Sequence, residues 1–205
     1  MPIHFSILTV CTGNICRSPL AEHLLRRGLS TWPIVDVASA GTAALVGHPM
    51  TEETAAIARA HGAAETEGHR ARRLEVENLR DADLVIALTR AHRSEIVGMF
   101  PRGSRRTFTL RELARLLEAV KPSDLASVAS LPLENIAARF SALVDIAASL
   151  RGYIVPPENE LDDDVVDPYR RGDEVYRQAA AQLVPAVETI LNRFELAASI
   201  EVHQL

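Results

Sequence analysis

Short apolar runs alternate with amphipathic stretches over the first half of the chain. Four runs are short and largely apolar or β-branched, as is typical of buried strands: residues 3–10, 34–39, 83–88 and 106–110. The stretches after the first three runs have the caps and apolar spacing of helices: residues 18–28, 51–62 and 90–97. Strands that alternate with helices form parallel sheets with right-handed crossovers. We therefore predict an α/β fold with a four-stranded parallel sheet and helices on both faces.

Helical periodicity dominates the second half of the chain. Helices are predicted at residues 111–120, 133–151 and 173–198, and a kink is expected at Pro185 in the last of them. The middle helix has one apolar stripe, which is formed by Ile136, Phe140, Leu143, Ala147 and Leu150. This stripe has to be buried against the domain, a second subunit or a partner, and the sequence leaves the three open.

Composition and charge exclude several classes of function. The chain has 205 residues and a formal net charge of -5, so nothing in its electrostatics favours nucleic acid as a partner. No apolar run is long enough to span a bilayer, and the N-terminus lacks the pattern of a signal peptide. The sequence has two cysteines, Cys11 and Cys16, which indicate reactive thiols rather than a disulfide framework. A cytoplasmic protein without membrane insertion is expected.

One stretch between the first strand and the first helix carries chemistry: Cys11-Thr12-Gly13-Asn14-Ile15-Cys16-Arg17-Ser18. Backbone N–H groups of such a loop, together with the N-terminus of the next helix, favour a bound anion. The helix terminus and Arg17 also favour the thiolate of Cys11, and the Arg17 fork suits two phosphoryl oxygens. Ser18 is placed to donate to the sulfur. Gly13 permits close approach of the backbone, and it also allows a conformation that other residues avoid. The loop is predicted to bind a phosphate and attack it.

The nine-residue string from Cys11 to Pro19 resembles the signature of the low-molecular-weight protein tyrosine phosphatases. The resemblance extends to residue 110 and resumes at Asp164. It implies a flavodoxin-like three-layer fold, Cys11 as nucleophile and Arg17 as phosphate ligand, with no metal or cofactor. The phosphate-binding loop that it implies comprises Thr12, Gly13, Asn14, Ile15, Cys16, Arg17 and Ser18.

The resemblance also implies a supporting hydrogen-bond network around the loop, formed by Asn14, Ser18, Ser39 and His69. From the residues alone, the basic stretch 68–73 is expected to be a solvated face and its histidine to lie on the surface. The two expectations for His69 therefore differ, and the structure can separate them.

The general acid is implied in the string Asp167-Pro168-Tyr169. Asp167 would protonate the departing phenolate and then activate water against the phosphocysteine. Asp164 matches a second acidic position of the family, whereas Asp162 and Asp163 are expected to be solvated.

Cys16 has two interpretations that the sequence leaves open. Family precedent implies a reversible disulfide with Cys11, which would protect the nucleophile from over-oxidation. The alternative is a small packing residue without a redox role.

The chain departs from the family pattern at two places. Residues 43–47 lack the aromatic residue that often walls the cleft, so Leu45 and Tyr169 are expected to line it. The segment resembles bacterial members that act on tyrosine autokinases of capsule and exopolysaccharide export, which makes a phosphotyrosine protein the expected partner. Residues 111–160 exceed the usual family length and are predicted to be a helical insertion within a single phosphatase domain, 1–205.

Two other functions share these features. Thioredoxin-coupled arsenate reductases have the same loop and fold, but their disulfide relay needs a distant pair of cysteines that this chain lacks. A silent phosphotyrosine-binding module would not need the nucleophile, the arginine and the acid together. Both are therefore weaker hypotheses than a protein tyrosine phosphatase.

Overall fold

A computed structural model describes residues 4–63 and 66–204. Within these residues the chain forms one four-stranded parallel sheet, with β1 (Phe5–Cys11), β2 (Val35–Gly41), β3 (Leu84–Ala87) and β4 (Thr107–Thr109). The spatial order is β2-β1-β3-β4. The predicted sheet is confirmed, with strand ends that differ by a few residues, and Ile3 lies outside the described residues.

Helices surround the sheet: α1 (Arg17–Gly28), α2 (Glu52–Ala60), α3 (Val76–Asp81), α4 (Arg90–Met99), α5 (Leu110–Glu118), α6 (Ala126–Ala129), α7 (Ile136–Leu150) and α8 (Asp173–Ser199). Short 3-10 helices lie at Thr66–Gly68, Pro101–Arg106, Pro122–Leu125, Glu160–Asp163 and Val202–Gln204. The sequence prediction missed α3 and α6, and α8 continues through Pro185. No helix in the described part of the chain combines the length and apolarity that a bilayer crossing requires.

The strand order places the end of β1 at a special position. β1 pairs with β2 on one side and β3 on the other, so the chain reverses its direction of winding there. Cys11 pairs with Gly41, and Val10 pairs with Ala87. In open α/β sheets ligands bind at such a switch point, beyond the carboxyl ends of the strands. The topology therefore positions Cys11 where a ligand site is expected.

Alternate side chains of β1 enter different cores. Phe5 and Ile7 belong to a large cluster under α1, α5, α7 and α8. Leu8 and Val10 belong to a smaller cluster that includes residues of α3 and α4. This period of two is that of a strand with both faces buried. It confirms the prediction of helices on both faces.

The apolar stripe of α7 is buried within this chain. Phe140 packs against Phe5, Trp32 and Phe194, with ring centroids 5.6, 5.4 and 4.6 Å apart. Of the three ways to cover the stripe, the structure therefore uses the domain itself. The assignment of 111–160 as an insertion, and of 1–205 as a single domain, stays a prediction.

Candidate active site

The segment after β2 supports the loop between β1 and α1. The Ala43 N–H donates to the Thr12 carbonyl, and the Leu45 N–H donates to the Gly13 carbonyl, both at 3.0 Å. Gly41 allows this close approach, because a Cβ there would lie 2.4 Å from the Thr12 carbonyl oxygen. The loop backbone is thus fixed by the neighbouring strand connection before any ligand binds.

Asn14 is the left-handed residue of the loop, with φ 55°. The expectation that Gly13 supplies this conformation is therefore wrong, since its φ is not positive. The Asn14 Nδ2 donates to Ser18 Oγ at 3.0 Å and to Ser39 Oγ at 2.7 Å. Its Oδ1 accepts from the Arg72 N–H at 2.8 Å. Because asparagine tolerates this region and these bonds satisfy its buried amide, the side chain compensates for the backbone strain.

His69 lies beneath the loop, with its side chain only 6% exposed. Its Nε2 is 2.7 Å from the Asn14 carbonyl oxygen, and its Nδ1 faces Glu22 at 3.9 Å. The Ser39 hydroxyl donates to the same carboxylate. The expectation of a surface histidine is therefore wrong, and the solvated face predicted at 68–73 fails at this residue. Sequence reasoning also missed Glu22.

The sulfur of Cys11 is buried and lies 3.0 Å from the Ser18 oxygen. That oxygen already accepts from the Asn14 amide, so its own O–H is available to donate to the sulfur. The other acceptor within reach, the Ala40 carbonyl, is farther away at 3.4 Å. A hydroxyl donor at this distance stabilises a thiolate more than a thiol.

Arg17 joins the loop to the segment that carries Asp167. Its Nη1 donates to the Val165 carbonyl at 3.0 Å, and its Nη2 lies 2.8 Å from the Asp167 carboxylate. The Nε is buried and has no hydrogen-bond partner among the described residues. Asp167 itself is half exposed. An anion in the loop would provide the acceptor that this buried N–H lacks.

A cavity of about 130 Å³ opens above the loop. It is lined by Cys11, Thr12, Gly13, Ile15, Cys16, Arg17, Ala43, Leu45, Asp167 and Tyr169. The structure thus brings Leu45 and Tyr169 to the same cleft as Cys11, Arg17 and Asp167. Within residues 4–63 and 66–204, no group of three His, Cys, Asp or Glu side chains is placed to hold a metal ion.

The acid loop, defined as residues 160–169, is more tightly bound than the sequence indicated. Asp163 pairs with Arg115 at 3.0 Å and is 15% exposed, so the expectation of a solvated carboxylate is wrong for it. Asp162 is exposed, as expected. Asp164 accepts the Arg90 N–H at 2.7 Å, at the N-terminus of α4.

The family model described as low molecular weight phosphotyrosine protein phosphatase matches residues 6–123, more than half of the chain. The chain belongs to this family. The match includes the complete phosphate loop, whereas the acid loop lies beyond it. The resemblance to this family that the sequence indicated is therefore confirmed.

The curated relatives of this chain include bacterial phosphatases. Over 96 residues the chain is 46% identical to the low molecular weight protein-tyrosine-phosphatase Etp of Escherichia coli K12, covering 47% of the chain. That alignment spans 62% of Etp, less than two thirds of its length. Over 108 residues it is 40% identical to the probable phosphatase EpsP of Ralstonia nicotianae, covering 53% of the chain and 72% of EpsP.

Solved structures of similar fold cover nearly the whole chain. The tyrosine phosphatase Wzb of Escherichia coli K30, in complex with sulphate, matches with a TM-score of 0.62 and 25% identity, covering 92% of this chain and 97% of Wzb. The YwlE arginine phosphatase of Geobacillus stearothermophilus matches with a TM-score of 0.63 and 26% identity, covering 93% of each chain. These likenesses confirm the predicted fold class.

Cys16 is a buried free thiol, as is Cys11. Its sulfur lies 3.7 Å from Thr51 Oγ1 and 3.8 Å from Tyr176 Oη. Burial raises the pKa of the Cys16 thiol, so the protonated form is favoured. A protonated thiol is a poor nucleophile, which agrees with the packing interpretation. The redox role stays a prediction.

Sequence reasoning also missed His92, which contacts the phosphate loop from α4. Its Nε2 lies 2.8 Å from Thr12 Oγ1, and its Nδ1 lies 2.8 Å from Thr89 Oγ1. Burial, and then the nearby charge of Arg17, lower the pKa of His92 to about 4. The available signal was a threonine N-cap three residues before a histidine, directly after the strongest strand.

Proposed function

We propose that the protein is a tyrosine phosphatase that hydrolyses aryl phosphate monoesters through a phosphocysteine intermediate. The observation that carries this proposal is the arrangement of Cys11, Arg17 and Asp167 around one small cleft. A thiol nucleophile, a guanidinium fork and a carboxylate are the three groups that such a reaction needs.

Phosphate binding begins in the loop. Backbone N–H groups of residues 12–18, including those at the N-terminus of α1, donate hydrogen bonds to the phosphate dianion, and the Arg17 fork binds two of its oxygens. The buried Nε of Arg17 supports this role, because it has no partner in the described residues. The Nη2 that now contacts Asp167 turns to the phosphate, which releases the carboxyl group for acid catalysis.

The first chemical step transfers the phosphoryl group to sulfur. The Cys11 thiolate attacks phosphorus, the P–O bond to the aryl group breaks, and its electron pair leaves with the oxygen. Asp167, in its protonated form, gives its proton to that oxygen, so that a neutral phenol departs. Its half-exposed position at the cleft supports contact with the leaving group.

The second step hydrolyses the phosphocysteine. Asp167, now ionised, removes a proton from water, and the water oxygen attacks phosphorus. The S–P bond breaks and its electron pair returns to Cys11. The Ser18 hydroxyl, 3.0 Å from the sulfur, supports this departure by donating to the developing thiolate. Inorganic phosphate leaves, and the enzyme returns to its starting state.

The walls of the cleft support an aromatic substrate. Ile15, Ala43, Leu45 and the Tyr169 ring are largely apolar, so a phenyl ring is accommodated without burying unpaired polar groups. The physiological partner we propose is a phosphotyrosine protein, and the resemblance of residues 43–47 favours a tyrosine autokinase of polysaccharide export. The free thiols of Cys11 and Cys16 support a reducing compartment such as the cytoplasm.

Phosphoarginine is the second candidate substrate, because YwlE, with a TM-score of 0.63, is an arginine phosphatase. The leaving group of phosphoarginine is a guanidinium, which is cationic once protonated and would favour a carboxylate beside it. The cleft has one such group, Asp167, whereas its walls are apolar. We therefore favour phosphotyrosine, and paired peptides that differ only in phosphotyrosine or phosphoarginine separate the two.

Phosphate release from a phosphotyrosyl peptide tests the proposal. We expect Cys11→Ser to lose about 10⁴-fold or more in kcat/KM, since the nucleophile is removed. Asp167→Ala should lose about 10²-fold to 10³-fold, the usual contribution of a general acid. Asp162→Ala, which removes an exposed carboxylate from the same loop, is the matched control and should retain parental turnover. Parental turnover by Cys11→Ser would contradict the proposal.

A further inference from the structure

Two arginines of α5 bind the acid loop. The Arg115 Nη2 contacts both carboxylate oxygens of Asp163, at 3.2 and 3.0 Å. The Arg111 Nη1 donates to the carbonyl oxygen of Asp164 at 3.1 Å. Arg111 and Arg115 are four residues apart and therefore lie on one face of the helix. One side-chain contact and one main-chain contact thus fix two successive residues of the loop.

The helix that carries these arginines is firmly held. Its opposite face is buried, through Leu110, Leu113, Leu116 and Leu117. Its start is fixed by a capping box between Thr109 and Glu112, at the end of β4. The α5 arginines therefore extend from a rigid element, and side chains on rigid elements position their partners more accurately than side chains on loops.

The bound part of the acid loop continues up to the residue before Asp167. The Val165 N–H donates to the Leu88 carbonyl at 2.9 Å, directly after β3. The Val166 N–H donates to Gln182 Oε1 at 2.8 Å, on α8. Together with the contacts at Asp163 and Asp164, these bonds hold four consecutive residues. Asp167 is the next residue, so these four residues determine where its backbone lies.

Among the residues that the structure describes, the side chain of Asp167 has two partners. They are Arg17 Nη2 at 2.8 Å and the Tyr169 N–H, which donates to Asp167 Oδ1 at 3.2 Å. A bound phosphate competes for Arg17, and the carboxyl group then loses its stronger partner. The position of the acid in the reacting complex therefore depends on the backbone that precedes it.

We propose that Arg111 and Arg115 are positioning residues for the general acid, acting through Asp163 and Asp164. This inference rests on the proposed phosphatase activity. It assigns a role to the first helix of the segment 111–160, namely to hold the acid loop over the phosphate loop. Arg111 and Arg115 do not touch the substrate in this arrangement; they determine where Asp167 can deliver its proton.

The dependence of kcat/KM on the leaving group tests the proposal. Phenyl phosphate releases a basic phenolate that needs the acid, whereas p-nitrophenyl phosphate releases a stable anion that needs it far less. We expect Arg115→Met and Asp163→Asn each to lose about 10-fold on phenyl phosphate and less than about 3-fold on p-nitrophenyl phosphate. The exchanged pair, Arg115→Asp with Asp163→Arg, should recover most of that loss, because it restores the ion pair.

The matched control is Arg59→Met, which removes an exposed arginine paired with Glu52 on α2, away from the acid loop. It should leave both substrates at parental rates, and thermal melting shows whether each variant is folded. Equal losses on the two substrates, or no loss in folded variants, would overturn the positioning role. Failure of the parent to release phosphate from either substrate would instead overturn the proposed function, so the two failures are distinguishable.

Discussion

His92 connects the phosphate loop to the N-terminus of α4 through two threonine hydroxyls. Thr89 Oγ1 accepts the His92 N–H at 3.2 Å, so its own hydrogen is free for the ring Nδ1. The proton of the neutral imidazole then lies on Nε2, which donates to Thr12 Oγ1. A second proton on the ring would sit on Nδ1 and displace the Thr89 donor. These contacts fit a neutral His92.

The free energy of unfolding should depend on pH through the protonation of His92. The pKa of His92 is about 4 in the folded chain, below the ordinary 6.5, so the unfolded state binds more protons between these values. The contribution of His92 to the free energy of unfolding should therefore fall by about 3 kcal/mol as the pH drops from 7 to 4. Urea denaturation of the parent and of His92→Gln measures this fall.

In His92→Gln, most of the contribution of His92 to the fall in the free energy of unfolding between pH 7 and pH 4 should be lost. The control is His48→Gln, at an exposed histidine, which should keep the full parental decrease. An identical pH dependence in the parent and in His92→Gln would contradict the buried neutral imidazole.

The sequence predicted the reacting groups more fully than the residues that hold the loop and its network in place. Cys11 and Arg17 were recognisable because chemistry restricts the residue type and spacing within one short loop. Glu22 and His92 were missed because their contacts depend on which helix face meets the loop. Asn14 was named, but its left-handed backbone was assigned to Gly13, since glycine is the commoner residue there. Local signals thus identified the chemistry, whereas tertiary contacts determined its geometry.

At the scale of elements, a buried arginine joins α7 to the end of α8. Arg139 is fully buried, and its Nε donates to the Ala197 carbonyl at 2.7 Å. Its two other nitrogens donate to the carbonyls of Leu131 and Ile200. These carbonyls lie where helical hydrogen bonding ends, so the guanidinium satisfies acceptors that would otherwise be buried without a donor.

Replacing this arginine should destabilise the protein. Arg139→Met keeps much of the side-chain volume but leaves three buried carbonyls without their donor, and we expect a loss of about 2–4 kcal/mol. Denaturant unfolding followed by Trp32 fluorescence measures it, because Trp32 packs on Phe140 of the same helix. Arg177→Met, at an exposed position of α8, should change stability by less than about 0.5 kcal/mol. A loss for Arg139→Met no larger than this would contradict the stabilising role.

Elements with strong local signals were predicted well. The threonine cap at Thr51 predicted the start of α2, and its side chain accepts the expected backbone N–H. The structure shows that Thr89 and Thr109 cap α4 and α5 in the same way. The short helices α3 and α6 were missed, since six and four residues show too little periodicity. The pair between Asp163 and Arg115 was missed as well, because 48 positions separate its members. Sequence pattern reveals elements, but not which distant charges they bring together.

At the scale of the whole molecule, parallel topology explains how distant segments meet at one cleft. The phosphate loop follows β1, the segment with Leu45 follows β2, and the acid loop bonds to the end of β3 through Leu88. All three therefore lie at the carboxyl edge of the sheet. The sequence predicted that Cys11, which follows β1, lies at this edge, whereas the acid loop follows α7 and is positioned there by its bond to Leu88. The role of residues 111–160 was not predictable, since no local motif reports what a helix supports.

Direct observation of the phosphocysteine would decide how the reaction proceeds. Rapid mixing of the protein with p-nitrophenyl phosphate, followed by a denaturing quench and mass spectrometry, should find one phosphoryl group on the peptide that contains Cys11. Asp167→Ala should raise the trapped fraction, because it slows hydrolysis of the intermediate while this substrate forms it without acid assistance. Continued turnover with no phosphorylated Cys11, or with the phosphoryl group on another residue, would contradict the mechanism.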